Sequence, residues 1–312
     1  MAGIDPQRIQ QAVDSAFSAY STLPGGKSAD YIPYLAQVPE KLAAVVVVTR
    51  DGNIYHAGDS QYRFALESIS KVSTLALVLE DVGPDVVQEK IGAAPTGLPF
   101  NSVMALELHN DKPFSPLVNA GAMSAASLVT ATDREQRWQR ILKMQQQLAG
   151  AEVALSDEVN HSEQTTNFHN RAIAWLLYSA GTLYSDAMEA CDVYTRQCSV
   201  LFNTIELATL GATLAAEGLN PVTQQQVLNR SNVRYILAEM MMEGMYGASG
   251  DWAYRVGLPA KSGVGGGVVA VVPGVMGIAA FSPPLDEEGN SVRGQKMVAE
   301  IAKQLGYNLF VA

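Results

Sequence analysis

From Asp5-Pro6 onward, apolar residues recur every three or four positions at Ile9, Val13, Phe17 and Tyr20. The chain therefore opens on an amphipathic helix, with aspartate as its N-cap and proline in the first helical position. Pro24-Gly25-Gly26 ends it. After a loop carrying Tyr31, Ile32, Pro33 and Tyr34, the alternation disappears into a continuous apolar run, Leu42 to Val48, the pattern of a buried strand. Asp51-Gly52 then offers the two-residue turn of a hairpin returning through Ile54 and Tyr55.

Beyond the hairpin the period changes to 3.6 and largely holds for about 170 residues. Ser68 to Glu80 reads as one helix stopped by Gly83-Pro84, and Thr132-Asp133-Arg134-Glu135 as a capping box opening a helix through Trp138, Ile141, Met144 or Gln145, and Leu148. His169 to Ser179 with Gly181 past its end, Asp186 to Ser199, Asn203 to Glu217 with Gly218, and Asn232 to Gly244 complete the block. Strand patterns return at Ala260 to Val264, Val268 to Val272 and Val275 to Phe281, and Asn290 to Leu305 closes as an amphipathic helix. This order predicts an α+β fold: an antiparallel sheet made jointly by both chain ends, flanked by helices, with an all-α domain inserted. The expected parts are residues 1–64 plus 250–312 for the sheet and 65–249 for the helices, with a cleft between them.

Composition narrows the class. Of 312 residues, 48% are hydrophobic and 17% charged, enough for roughly two compact domains. A formal net charge of −10 repels a phosphate backbone or an anionic membrane surface, so no nucleic-acid or membrane partner is expected. Cys191 and Cys198 are the only cysteines and no basic-apolar leader precedes Asp5, which reads as a reduced, cytoplasmic protein. The uncharged run from Ser262 to Leu285 is long, but its glycines and prolines fit strands joined by turns better than a spanning helix.

The candidate chemistry starts at Ser68-Ile69-Ser70-Lys71, the only S-x-x-K in the chain. Residues three apart on a helix share a face, so a desolvated Lys71 amine can take the proton of the Ser68 hydroxyl. Alone, the tetrapeptide is equally a helix start with a solvated lysine. Lys261-Ser262-Gly263 downstream changes this, because S-x-x-K paired with a late K-[ST]-G is the signature of the penicillin-binding and serine β-lactamase architecture. The expected oxyanion donors are the backbone N–H groups of Ser68 and Val264, with Gly263 and Gly265-Gly266-Gly267 allowing close backbone approach. Simple strand crowding also explains those glycines.

Over nearly its full length the chain resembles the serine-dependent glutaminase family. The resemblance rests on Ala29-Asp30-Tyr31-Ile32-Pro33, Glu67-Ser68-Ile69-Ser70-Lys71, Pro116 to Ala122, Glu163 to Asn170, and Lys261-Ser262-Gly263-Val264. It implies cofactor-free hydrolysis of L-glutamine to L-glutamate and ammonia by a homo-oligomer, usually a tetramer. It further implies Ser68 as nucleophile, Lys71 as base, and Tyr31, Asn119, Glu163, Asn170, Tyr194, Tyr246 and the Val264 backbone as substrate contacts, with Tyr31 closing over the amino-acid end.

Glu163 and Asn170 lie seven apart, so in a continuous helix they share a face, and the carboxylate suits an α-ammonium; otherwise they are polar surface. Asn119 suits a substrate carboxylate or a helix N-cap, and Tyr194 and Tyr246 suit proton transfer or the core. Two departures stand out. The middle Ser-Asp-Asn motif of β-lactamases is absent, and position 67 is Glu where many glutaminases carry Gln. The second bears on pH dependence and affinity rather than on reaction class. His56, His109, His161 and His169 lack metal-ligand spacing, and no phosphate-binding loop or dinucleotide fingerprint occurs, so no metal or cofactor is expected. The competing readings are another acyl-serine amidase or peptidase of this architecture and a non-catalytic sensor; ammonia release from glutamine but not asparagine separates them.

Overall fold

The computed structural model describes residues 5–311. Asp5 caps α1 (Pro6–Tyr20) by accepting from the Gln7 N–H. The hairpin is β1 (Ala44–Thr49) and β2 (Ile54–Gly58), and a short β3 (Phe64–Ala65) leads toward Ser68. The helical stretch comprises α2 (Ser70–Val82), α3 (Pro84–Lys90), α4 (Met104–Leu108), α5 (Asn119–Leu128) and α6 (Arg134–Ala149). After β4 (Ala154–Leu155) come α7 (Asp157–Thr166), α8 (Phe168–Ser179) and α9 (Ala187–Cys198). It continues with β5 (Val200–Phe202), α10 (Thr204–Ala215), α11 (Arg230–Glu243) and α12 (Ser249–Arg255), and the chain closes with β6 (Ala260–Ser262), β7 (Gly267–Val272), β8 (Met276–Phe281) and α13 (Val292–Leu305).

Five strands form one antiparallel sheet in the order β2-β1-β8-β7-β6. The first strand of one chain end pairs directly with the last strand of the other, Val46 opposite Ala279 and Val47 opposite Ile278. Both faces are covered, which is why the strands read as unbroken apolar runs. Val45, Val47, Ile278 and Ala280 meet Ile9, Val13, Met297, Val298 and Ile301 of α1 and α13. Val46, Val48, Val269 and Ala279 join a cluster with Leu207, Ala208 and Leu210 of α10. α10 thus belongs to the helical stretch by sequence but packs on the sheet. It lies so close that a Cβ on Gly277 would stand 2.4 Å from both Ala208 O and Ala212 N.

A second sheet, β3-β5-β4, is absent from the sequence expectation because strands of two or three residues carry no readable period. It has a positional role. It binds together the segment entering Ser68, the segment entering α7 and the segment leaving α9, reinforced by Leu66 N–H to Val200 O and Ser156 N–H to Ser199 O.

Several expected boundaries shift. Ser68 lies in a single 3₁₀ turn, Glu67–Ile69, and α2 begins only at Ser70. The hairpin loop is longer than the two-residue turn expected at Asp51-Gly52, since Thr49 N–H bonds to Asn53 O across three intervening residues. The cap of α6 is Asp133 accepting from Gln136 N–H, in place of a Thr132–Glu135 box, whereas Asn203 and Glu206 do form a capping box on α10. Glu163 and Asn170 fall on two helices, α7 and α8, with a break at Asn167. Gly265 and Gly266 form the β6–β7 turn, and only Gly267 is in a strand. No helix among the described residues is long and apolar enough to cross a membrane.

Candidate active site

Glu67, just before Ser68, holds φ at +50°, a left-handed conformation that non-glycine residues rarely adopt and that persists only when packing enforces it. The enforcing contact is the β6–β7 turn. A Cβ on Gly265 would lie 2.2 Å from Ala65 O and 3.3 Å from Glu67 Cγ, and one on Gly263 would lie 2.8 Å from Leu66 O. Backbone pressed against backbone here brings Val264 to the same cavity wall as Ser68. Among the described residues, no acceptor engages the Val264 N–H.

Lys71 is 1% exposed, yet its Nζ lies 2.9 Å from Ser68 Oγ and donates to Asn119 Oδ1 at 2.8 Å. Burial pushes its pKa down to about 8, partly offset by Cys198, Glu67 and Glu243 nearby. A neutral amine beside a serine hydroxyl is what a general base requires. Asn119 is the first residue of α5, and no side-chain cap occupies that helix start, so its amide is not spent on capping. Its Oδ1 also accepts from the Tyr194 hydroxyl at 3.0 Å, and its Nδ2 donates to Asn170 Oδ1 at 3.0 Å. One amide therefore links α2, α8 and α9.

Tyr246 has φ of +55° and packs its ring against Phe100, with centroids 4.7 Å apart, and over Lys261 Nζ at 4.5 Å. Its hydroxyl is buried near Ser68 but makes no hydrogen bond, and burial holds it strongly protonated. Tyr194 is likewise kept protonated by burial. Lys261, fully buried on β6, donates to Gly244 O and Ser262 O, and burial plus the nearby Lys71 hold its pKa well below the usual lysine range. Ser262 Oγ is buried with no partner.

A cavity of about 570 Å³ opens in front of these groups, lined by Ser68, Asn119, Glu163, Asn170, Tyr194 and Val264. Tyr31 stands on its wall with 60% of its surface exposed. Lys71, Tyr246 and Lys261 are buried and do not line the cavity.

The glutaminase family model matches residues 26–310. The chain is 76% identical to the glutaminase of Escherichia coli O81 (strain ED1a), over 98% of this chain and 99% of that protein. The chain belongs to the glutaminase family. The solved structure of a probable glutaminase, ybaS, superposes with a TM-score of 0.98 at 76% identity, over 99% of this chain and 100% of that one. A probable glutaminase from Bacillus subtilis, solved in complex with 6-diazo-5-oxo-L-norleucine, superposes at 0.86 with 30% identity, covering 99% of this chain and 98% of that one. These neighbours have the β-lactamase-like fold, as does this α+β chain.

Three parts of the glutaminase cavity escaped the sequence reading. Phe100, whose ring centroid lies 5.6 Å from Lys71 Nζ, carries no motif that marks it. Cys198 lines the cavity and meets Ser70, with burial pushing its thiol far up, so it stays a neutral packing group. The Asp286-Glu287-Glu288 run makes one wall acidic, and its charge run was the available signal. Among the described residues, no group of three or more His, Cys, Asp or Glu side chains is arranged to hold a metal ion.

Proposed function

We propose that this glutaminase converts L-glutamine to L-glutamate and ammonia through an acyl-serine, with Ser68 as nucleophile and Lys71 as its base. The observation that carries the assignment is the buried hydrogen-bonded run Ser68–Lys71–Asn119–Tyr194 against a cavity that also presents Glu163 and Asn170. Lys71 takes the Ser68 proton, Oγ bonds to the side-chain amide carbon, and the N–H groups of Ser68 and Val264 hold the developing oxyanion. Tyr246, whose hydroxyl lies near Ser68 without another partner, relays the proton from Lys71 to the departing nitrogen. Ammonia leaves, and water attacks the ester by the same route to release glutamate.

Asn119 aims Lys71, and Tyr194 fixes Asn119. Lys261, Ser262 and Gly263 support the wall opposite Ser68. Glu163 receives the substrate α-ammonium, Asn170 and Asn119 flank it, and Tyr31 closes over that end. No step calls for a metal or cofactor.

In this reading residues 1–64 and 250–312 form the sheet part, residues 65–249 the helical part, and α10 ties them together by packing on both the sheet and α6. The protein works in the cytoplasm as a homo-oligomer, a tetramer by family resemblance; the exposed row Phe168, Trp175, Leu176 and Tyr178 along α8 suits a second copy of the chain. Sedimentation analysis tests that part. The reaction is tested by ammonia release: turnover of glutamine with little or none of asparagine supports the assignment, and equal turnover of both overturns it.

A further inference from the structure

Glu67 and Glu163 come from segments 96 positions apart, the turn before α2 and the middle of α7, yet both line the same cavity as close neighbours. Neither is paired with a lysine or arginine among the described residues. Lys71, the nearest cation, directs its hydrogen bonds to Ser68 and Asn119. Two carboxyl groups in contact without a bound cation hold a proton between them, because a buried doubly charged pair is strongly disfavoured.

Burial decides which one carries it. Glu67 is 3% exposed, whereas Glu163 is only partly buried. No donor reaches Glu67 Oε1, as befits a carboxyl that is itself the donor. Glu67 is also held in place, since its backbone is in the left-handed region and the β6–β7 turn passes so near that a Cβ on Gly265 would lie 3.3 Å from its Cγ.

We propose that Glu67 is the positioning residue of the ammonium site, donating a retained proton to Glu163 so that glutamine binding weakens when that proton is lost. This rests on the reading of Glu163 as the partner of the α-ammonium. With one proton shared, the pair carries a single negative charge, matched to one ammonium and mild toward the substrate α-carboxylate. Without it, two adjacent carboxylates repel each other, Glu163 loses the donor that fixes it, and the α-carboxylate faces a second negative charge.

The ionisable groups facing Glu67 are Glu163 from α7, Lys71 from α2, Tyr194 and Cys198 from α9, Tyr31 from its loop and Tyr246 from the turn after α11. The β6–β7 turn beside it contributes no charge. Burial first, then the neighbouring Glu163, push the Glu67 pKa well above the usual carboxylate range, with Lys71 pulling the other way. A raised pKa keeps the proton as pH rises, so the loss falls on the alkaline side.

The experiment measures KM for glutamine by ammonia release, from about pH 5.5 to 9, for wild type, Glu67→Gln, Glu67→Ala and Glu163→Gln. Wild-type KM is expected to climb on the alkaline side by up to about tenfold per pH unit, the limit for loss of one proton. Glu67→Gln keeps a neutral donor, so its KM should vary by no more than about twofold over that limb, while Glu67→Ala has a raised KM throughout. A Glu67→Gln profile that climbs in parallel with wild type overturns the proposal. Glu163→Gln separates the two readings: if its KM equals that of wild type, the ammonium assignment itself fails. Should the Glu67 variants not fold, infrared titration of wild type decides, because a carboxylic-acid C=O band must disappear over the same pH range in which KM climbs, and its absence overturns the proposal.

Discussion

Val45 to Val48 on β1 and Ser68 to Lys71 at the head of α2 are all essentially buried, but for opposite reasons. The strand residues are apolar and bonded on both edges, and each fully buried valine contributes roughly 1.5–3 kcal/mol by leaving water. The Ser68 stretch buries two hydroxyls and an amine, groups that destabilise a fold unless partnered. Among the described residues, no orphaned side-chain atom falls on β1, β7 or β8, whereas Glu67 Oε1, Tyr246 OH and Ser262 Oγ cluster around the cavity together with two strained φ angles. The sheet supplies stability, and the cavity holds unsatisfied groups in place for a substrate. A substitution in one should therefore leave the other nearly untouched.

The largest expected effect is Ser68→Ala, which should lower kcat by on the order of 10⁶ with the melting temperature within a degree or two of wild type. A variant keeping a tenth of the activity would end the acyl-serine scheme. Lys71→Ala should approach the same loss, because nucleophile and base act as one unit.

Next comes Glu163→Gln, expected to raise KM for glutamine by roughly 10-fold to 100-fold, that is about 1.4–2.8 kcal/mol, without a matching loss of thermal stability. Glutaramate, which lacks the amine, should be a poor substrate of the wild type. Equal kcat/KM values for glutamine in the two proteins would make Glu163 a mere surface carboxylate.

Gly277→Ala tests the other side. The added methyl forces α10 off the sheet, so denaturant melts should show a loss of about 1–3 kcal/mol while the folded fraction keeps its KM. A changed KM at unchanged stability would contradict the division of labour. Smallest of all, dialysis against a strong chelator should change the rate by less than twofold; inactivation reversed by a divalent ion would require a different mechanism.

Much of the sheet side was legible in advance, because continuous valine runs and Asp5-Pro6 act locally; the Asn203–Glu206 box, just as local, went unread. The cavity was legible only where chemistry leaves a local pattern, as in S-x-x-K and K-S-G. β3, β4 and β5 are too short to show a period, and Asn167 breaks a helix whose flanks both look helical. Sequence raised Glu67 as a titratable oddity, but its contact with Glu163 depends on the tertiary fold. The packing of α10 on the sheet was hidden for the same reason: its apolar residues do not say what they face.

The pairing of β1 with β8 also orders events in time. Thr49 finds its partner at Met276, more than 200 residues later, which at translation rates of about 5–20 residues per second means a wait of roughly 10–45 s. Through that interval the hairpin exposes an apolar strand edge that awaits β8, and for most of it α10 is not yet made to cover the sheet face. Such long-range closure is slow as well as late, since the loop entropy must be met before the contacts form. Ser68 is therefore synthesised early, and its opposing wall at Val264 arrives only when the sheet closes around it.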